Sequence, residues 1–386
     1  MIPTGERIAG RRGRLLIVGA VPPPMHGVTV MTAALLRGGL EAEFDVMHVD
    51  TSDHRTIGNV GSFDLANIVL ACRHIFGFVA LLRRHRPDLV YLSLSQGLAG
   101  FLRDATLLLA ARIAGTHVAV HAHGSRYREF FGRVPAPLRG LVRASLAPVK
   151  AIAVLGEGQS EQFVGWAPPG ARVTVVPNGV ADEWPGGPPQ RADHTGGTVL
   201  DLSNLLPQKG FVDVLEAVPS VLARVPGVRF VFAGDPWYDE ATGRRVRDLI
   251  ASTGISEAVA FVGAVDPRAR RELLADADVF VFPPRWEEGQ PIVAIEAMSA
   301  GLPVVFTASG ALPETVRDGV EGLVVPKGCP QAIADSVVRL LGDDSLRARL
   351  GSAGRARYES EYTLDRWLAR MRSFFAAALE GVGDRS

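Results

Sequence analysis

Cysteine is almost absent from this sequence of 386 residues. Its two cysteines, Cys72 and Cys329, lie far apart along the chain. This scarcity excludes a disulfide framework and a cysteine-based metal site, and it favours a reducing compartment such as the cytoplasm. The formal net charge is +0. No field of the whole molecule would therefore recruit nucleic acid or anionic lipid, and any such contact must come from a local patch.

Long uninterrupted hydrophobic runs are also missing. The most apolar long window, residues 98–115, contains Arg103, Asp104 and Arg112, which argues against a membrane span. The apolar run at 15–21 is too short for the core of a signal peptide and is better explained as a first buried strand. We therefore expect a cytoplasmic protein without a transmembrane helix.

Short β-branched runs alternate with helical patterns of ten to twenty residues, which predicts parallel sheets with helices on both faces. The predicted strands of the first half are 15–19, 44–49, 89–94, 117–121, 151–155 and 173–176, with helices at 28–39, 65–85 and 100–113. The glycine- and proline-rich stretch 177–198 breaks the rhythm. It restarts with strands at 199–203, 229–233, 259–262 and 279–282, and helices at 211–225, 241–253 and 267–275.

We therefore predict an α/β protein with two doubly wound domains that face each other across a cleft. A chain of this length also exceeds what one hydrophobic core usually serves. The predicted parts are residues 1–180 as the N-terminal domain, 181–198 as the linker, 199–361 as the C-terminal domain, and 362–386 as a C-terminal helix. Ligands of such sheets bind beyond the carboxyl ends of the strands.

Two acidic residues, Glu288 and Glu296, stand eight positions apart in the segment that follows strand 279–282. Pro291 suits the first turn of a helix and Gly301 suits the position just past its end. Glu296 lies in a run that is apolar all round, where a carboxylate is costly without partners. At about 1.5 Å per residue, Pro291 to Glu296 spans roughly 7.5 Å. The helix start would bind a phosphate, and the two carboxylates would accept from sugar hydroxyls at its two ends.

The stretch "EGQPIVAIE" at 288–296, continued by "AMSAGLPVVFTASGALPETVRDGVEGLVV", resembles the E-x7-E block of the retaining glycosyltransferases called family 4, or group 1. The resemblance implies two Rossmann-like domains of the glycosyltransferase B type and a reaction without metal. It implies that domain 1–180 binds the acceptor, that domain 199–361 binds the nucleotide sugar, and that the helix at 362–386 packs back on the first domain. It implies that Glu296 binds the ribose hydroxyls of a nucleotide sugar. Glu288 would contact the transferred sugar and stabilise the charge that develops at its anomeric carbon.

A second candidate is Lys209, one of three lysines in the chain, which stands with Gly210 between a predicted strand and helix. The ammonium and the helix-start amides would converge on one spot. The stretch "NLLPQKG" resembles the family's "GRLxxxKG" signature, in which an arginine and a lysine neutralise the leaving diphosphate. This sequence has Asn204 at the arginine position, so the resemblance leaves Lys209 without its usual partner.

The remaining site predictions come from strand ends. Gly27 opens a helix after the first strand, and His121 and His123 end a parallel strand. In the family, such a glycine contacts donor phosphate or acceptor and the strand-end histidine touches the donor sugar. This implies a positioning role for His123, whereas His121 is expected in the core. Backbone groups near Val262 and Gly263 would read the base.

The predicted site residues are accordingly of two kinds. Those expected to act in catalysis are Glu288, His123 and Lys209. Those expected to bind substrate are Gly27, Asn204, Gly289, Gln290, Ile292, Glu296, Val262 and Gly263. No metal ligand is predicted, because the D-x-D stretch at 276–278 precedes a strand rather than ending one. No cofactor is predicted either, since the nucleotide diphosphate sugar is the donor substrate.

The predicted function is that of a retaining, metal-independent glycosyltransferase that moves a sugar from a UDP-, GDP- or ADP-linked donor to an acceptor hydroxyl in bacterial polysaccharide or glycolipid synthesis. The acceptor would be a sugar, a lipid-linked sugar or a small molecule. The arginine-rich, partly apolar stretch 125–148 could lie on anionic lipid at the inner face of the plasma membrane, hold a phosphate-bearing acceptor, or be a solvated face. Two alternatives stay open: a nucleotide-sugar epimerase of similar fold, and a catalytically silent nucleotide-sugar-binding protein.

Overall fold

The computed structural model describes residues 12–23, 25–52, 65–190, 196–236 and 238–380. By its internal contacts the chain divides into two units. Unit 1 comprises Met1–Asn178 together with Trp367–Ser386, and unit 2 comprises Gly179–Arg366. The chain thus crosses between the units twice, after Asn178 and before Trp367.

Unit 1 contains a parallel sheet of six strands in the order β2-β1-β3-β4-β5-β6. Its strands are β1 (Gly13–Gly19), β2 (Phe44–Asp50), β3 (Leu89–Ser93), β4 (His117–Ala122), β5 (Val149–Val154) and β6 (Arg172–Val175). Its helices are α1 (Gly27–Arg37), α2 (Leu65–His85), α3 (Leu98–Ile113), α4 (Tyr127–Gly132), α5 (Ala136–Leu146) and α6 (Glu157–Ser160). The strand order reverses between β1 and β3, as in flavodoxin-like sheets.

Unit 2 contains a second parallel sheet of six strands, in the order β12-β11-β10-β7-β8-β9. Its strands are β7 (Thr198–Leu202), β8 (Arg229–Ala233), β9 (Val259–Gly263), β10 (Val279–Phe282), β11 (Val304–Thr307) and β12 (Gly322–Val325). Its helices are α7 (Phe211–Leu222), α8 (Glu240–Thr253), α9 (Pro267–Asp276), α10 (Ile292–Ser299), α11 (Leu312–Thr315), α12 (Pro330–Gly342) and α13 (Asp344–Arg357). This is the Rossmann order, and it reverses between β7 and β10.

Successive side chains along a strand point to opposite faces of the sheet, so unit 2 has a separate hydrophobic core on each face. Val279 and Val281 of β10 join one buried cluster with residues of α7 and α12. Phe280 and Phe282 point the other way, into a cluster with residues of α10. Because both faces are covered, β10 is apolar at every position, which is the expected pattern of a strand in a buried parallel sheet.

The stretch 181–198, predicted as a linker, lies within the range of unit 2. Trp184 is 7 % exposed and lies in the core cluster that contains α10. Asp182 accepts from Arg355, whose guanidinium also donates to the carbonyl oxygen of Ser299. Proline and glycine mark an irregular backbone, but the packing of Trp184 and the ion pair between Asp182 and the buried Arg355 anchor it.

The last helix, α14 (Leu364–Leu379), joins unit 1 from Trp367 onward. Phe375 packs edge-on against Tyr91 of β3, with ring centroids 5.2 Å apart. A Cβ on Gly38 would lie 2.2 Å from a methyl carbon of Leu368, so a larger residue there would displace the Leu368 side chain of α14. The C-terminal residues therefore complete the core of unit 1.

Candidate active site

The loops that follow β7 and β10 meet because these strands are neighbours at the point where the strand order of unit 2 reverses. Gly210 allows their close approach. It adopts a left-handed φ of 88°, and a Cβ there would lie 2.1 Å from the carbonyl oxygen of Pro283. The N–H of Arg285 donates to the carbonyl oxygen of Gln208 at 2.8 Å. The two loops are therefore fixed to each other by their backbones.

This junction brings Lys209 and Glu288 into direct contact, 79 positions apart in the sequence. Lys209 Nζ lies 2.7 Å from Glu288 Oε1 and 2.8 Å from Oε2. The Lys209 side chain is 22 % exposed and that of Glu288 is 11 % exposed, so the pair is largely shielded from water yet reachable from the edge of the sheet. The ammonium also lies 5.7 Å from the centre of the Phe282 ring.

Glu288 has further anchors in its own loop. Trp286 Nε1 donates to Glu288 Oε1 at 3.1 Å. The N–H of Glu288 donates to Ser309 Oγ at 3.0 Å, and that hydroxyl donates to the carbonyl oxygen of Trp286. The carboxylate is therefore held before any ligand arrives.

The segment between the two glutamates forms the start of α10. Pro291 lies just before the helix, which begins at Ile292, so the predicted position of Pro291 in the first turn is wrong by one residue. The Gln290 side chain is buried and donates from Nε2 to Thr315 Oγ1 at 3.0 Å. The carbonyl oxygen of Gly289 accepts from the N–H of Ala311 at 3.0 Å. The Gln290 side chain and the Gly289 carbonyl oxygen thus hold the turn before α10 in place.

Glu296 is 9 % exposed, as its apolar neighbours predict. Its partner is Arg270 on α9, whose Nη1 lies 2.9 Å from Glu296 Oε1. Burial raises the pKa of Glu296, the Arg270 charge lowers it and Glu183 raises it, with a net upward shift. Sequence reasoning did not identify Arg270, because nothing in an arginine-rich exposed helix distinguishes it from its neighbours.

A buried acid that the sequence did not suggest lies beside Lys209. Asp201 of β7 is 1 % exposed, and its Oδ1 accepts from the Ser203 hydroxyl at 3.2 Å. Its Oδ2 has no hydrogen-bond partner among the described residues. Burial raises the pKa of Asp201 to about 7, although Ser203 and the Lys209 charge lower it. The sequence signal that could have identified Asp201 is an acidic residue inside the otherwise apolar run of β7.

The other predicted residues of unit 2 lie on the same edge of its sheet. Asn204 is half-buried in the loop after β7, and its carbonyl oxygen accepts from the N–H of Leu206 at 2.7 Å. Val262 is 45 % exposed near the end of β9, and Gly263 ends that strand with a left-handed φ of 71°. Both residues are at the carboxyl end of β9, and the base contact stays a prediction.

Unit 1 carries the predicted Gly27 and His123. Gly27 is the first residue of α1, and His123 follows β4. Burial lowers the pKa of His123 to about 4, helped by the nearby His26, so its imidazole is neutral at pH 7. His121 is fully buried, stacks on His123 with ring centroids 4.0 Å apart, and bonds through Nδ1 to the Tyr91 hydroxyl at 2.9 Å. His121 is thus a core residue, as expected.

The D-x-D stretch has a structural explanation within unit 2. Asp278 Oδ2 accepts from the N–H of Thr198 at 2.8 Å, and Asp276 pairs with Arg229 at 3.1 Å. Within the described ranges, no three histidine, cysteine or acidic side chains gather in a group that could hold a metal ion. In the same ranges, no helix is long and apolar enough to cross a membrane.

Comparison with known proteins identifies the class. Residues 188–357 match the family model described as glycosyl transferases group 1, and residues 24–179 match that of the glycosyl transferase 4-like domain. Among solved structures, sucrose-phosphate synthase from Thermosynechococcus elongatus aligns with a TM-score of 0.72 and 18 % identity, over 94 % of this chain and 98 % of that one. HepE of Anabaena, in complex with UDP and glucose, aligns with a TM-score of 0.69 and 16 % identity, over 94 % and 99 %. The fold is that of the glycosyltransferase B type.

Sequence relatives define the family. The GDP-mannose-dependent alpha-(1-6)-phosphatidylinositol monomannoside mannosyltransferase of Mycobacterium tuberculosis is 30 % identical over 285 residues, which cover 70 % of this chain and 72 % of that protein. A monoacylated-substrate counterpart from Corynebacterium glutamicum is 35 % identical over 167 residues, which cover 42 % of each. The chain belongs to the group 1 glycosyltransferases. The predictions of fold, family and glycosyltransferase activity are therefore confirmed, and the epimerase and the silent binding protein are not supported.

Proposed function

We propose that this glycosyltransferase is retaining and metal-independent, needs no cofactor, and uses a nucleotide diphosphate sugar as donor. The observation that carries the proposal is the Lys209–Glu288 pair, with N–O distances of 2.7 and 2.8 Å at the carboxyl edge of the unit 2 sheet. Transfer of a sugar from a diphosphate donor requires a cation and a carboxylate close together. The Lys209 ammonium would neutralise the leaving diphosphate, and the Glu288 carboxylate would stabilise positive charge at the anomeric carbon.

Each further role in the proposal follows from position. Lys209 and the backbone N–H groups at the start of α10 would bind the diphosphate, and Pro291 would contribute none because it lacks an N–H. Glu296 would release its contact with Arg270 and accept hydrogen bonds from the ribose hydroxyls. In unit 1, the neutral His123 would position the sugar and Gly27 would allow close approach of donor or acceptor.

The relatives suggest substrates. The mycobacterial relative is named for GDP-mannose and a phosphatidylinositol mannoside, and a donor of this kind would suit the proposed site. We propose a GDP- or UDP-linked hexose as donor and a sugar-bearing lipid or other glycoconjugate as acceptor.

Product analysis tests this proposal. UDP-, GDP- and ADP-linked sugars are first screened for the rise in unfolding temperature that a ligand of the native state produces. The stabilising donor is then incubated with candidate acceptors in excess EDTA, and the product is examined by NMR. We expect a glycoside with the anomeric configuration of the donor. An inverted product would overturn retention, loss of turnover on chelation would overturn metal independence, and an altered sugar nucleotide without acceptor would indicate an epimerase.

A peripheral contact with anionic membrane is a further part of the proposal. On α5, Leu138 and Leu141 are 50 % and 58 % exposed, and Arg139 and Arg143 are exposed on the same helix. Apolar and basic side chains together suit the boundary of an anionic bilayer. We expect wild type to sediment with phosphatidylglycerol vesicles and the variant Arg139→Glu/Arg143→Glu to sediment several-fold less. Equal sedimentation of the two, or equal binding to phosphatidylcholine vesicles, would contradict membrane contact.

A further inference from the structure

Trp286 is a large aromatic side chain in the loop after β10 that remains 39 % exposed. Its indole N–H donates to Glu288 Oε1 at 3.1 Å, the oxygen that also accepts from Lys209 Nζ at 2.7 Å. The carbonyl oxygen of Trp286 accepts from the Ser309 hydroxyl, which in turn accepts from the N–H of Glu288 at 3.0 Å. The indole and the carboxylate are thus joined at both backbone and side chain.

The charges around Glu288 indicate how its contacts would change when a diphosphate binds. Lys209 is the one cationic residue of the loop 203–210, and Asn204 in that loop is neutral. A diphosphate bound at this edge would draw Lys209 toward its own oxygens, because two negative charges compete with one. Glu288 would then lose its two contacts with the ammonium. The indole N–H is a donor without charge, so a diphosphate does not attract it comparably, and it would stay with the carboxylate.

The exposed part of the indole offers a second contact. Its edge is held at Glu288, so the orientation of the ring is set before ligand arrives. A ring face with negative partial charge packs well against the C–H face of a pyranose, whose hydrogens carry positive partial charge. Aromatic walls with a few placed polar groups are the usual composition of small-molecule sites.

We propose that Trp286 is a positioning and specificity-determining residue for the donor. Its N–H keeps Glu288 in place once Lys209 has turned to the diphosphate, and its ring stacks on the transferred hexose. This inference rests on the proposed function. It adds a residue two positions before the E-x7-E segment to the donor site.

Two substitutions separate the two roles. Trp286→Phe keeps an aromatic ring but removes the N–H, and it is expected to lower kcat about tenfold with little change in the donor KM, since one hydrogen bond to a charged group is lost. Trp286→Leu removes the ring as well and is expected to raise the donor KM about fivefold in addition. Phe76→Leu is the control for an exposed aromatic, because Phe76 is 75 % exposed in unit 1, and it should leave both constants unchanged.

Intrinsic fluorescence provides a readout apart from turnover. Wild type is titrated with the donor and with the matching free nucleotide diphosphate, and the donor is expected to cause the larger change in tryptophan emission. That difference should vanish in Trp286→Phe. Unfolding temperatures close to wild type would show that the variants fold.

The outcomes distinguish this inference from the proposed function. If wild type binds and transfers from a nucleotide sugar while Trp286→Leu keeps wild-type kcat and KM, the role of Trp286 is overturned and the function stands. If Trp286→Phe and Trp286→Leu behave alike, stacking is wrong and the hydrogen bond alone matters. If wild type binds no nucleotide sugar, both the proposed function and the role of Trp286 are overturned.

Discussion

Replacing Glu288 by glutamine or Lys209 by methionine is expected to lower kcat/KM by about 10² to 10³ in each case, and replacing both by little more than the worse single change. Loss of one preorganised group that stabilises transition-state charge costs factors of this size. Groups that act as a unit are strongly non-additive, because the second cannot work once the first is gone. Steady-state kinetics with the stabilising donor measures all three variants.

The comparison of the two single variants with the double variant is informative because the two side chains are in direct contact. The ion pair is 2.7 Å long and shielded, so each single change also removes the partner's main neutralising charge. A purely structural pair would give a different result. Its single changes would lower the unfolding temperature and leave kcat/KM per folded molecule near wild type, which would contradict the proposed roles.

A second lysine–glutamate pair in unit 2 is the matched control. Lys327 Nζ lies 2.6 Å from Glu287 Oε1, and Glu287 Oε2 accepts from the N–H of Gly310 at 2.7 Å. Glu287 therefore anchors its loop. Its side chain is 47 % exposed, and half-exposed pairs contribute little. The variants Glu287→Gln and Lys327→Met should each change kcat/KM less than about threefold, in contrast to the Glu288 and Lys209 variants.

The sequence predicted the secondary structure around this candidate site well where the signal was local. The β10 run, Gly301 and the apolar context of Glu296 place a buried helix after a buried strand, and the rhythm of strands and helices places Lys209 at an edge of the sheet. These patterns depend on periodicity and turn chemistry within about twenty residues, which a sequence displays directly.

Pairings over long range were not predictable in the same way. Arg270 reaches Glu296 across 26 positions, and Arg355 reaches Asp182 across 173. Arginine is the common cation of this chain, so composition does not distinguish an arginine that will be buried from one that will be solvated. The anchoring of Trp184 and Asp182 was not predictable for the same reason, since both are held by residues far along the chain.

Asp201 shows how much a buried acid can matter. It lies on β7 between Leu200 and Leu202, which pack into the core cluster with α10, so it points to the opposite face, as Val199 does. Burial raises its pKa from 3.8 in the unfolded chain to about 7. Lys209 is the charged group that acts on it, and its charge limits the rise. Between these two pKa values the folded protein holds a proton that the unfolded chain releases.

The free energy of unfolding should therefore fall as the pH rises through this window, and this group should add no further change above about pH 7, where both states are ionised. At about 1.4 kcal/mol per pKa unit, wild type should lose about 2 kcal/mol relative to Asp201→Asn between about pH 5.5 and about pH 8.5. Urea unfolding of both proteins at the two pH values measures the difference, in which other titrating groups cancel. Asp182→Asn is the control: a hydrogen bond from Arg355 lowers the pKa of Asp182, so its window lies below pH 3.8 and its difference from wild type should stay flat. A flat difference for Asp201→Asn as well would mean that water reaches this carboxyl and that it is ionised throughout.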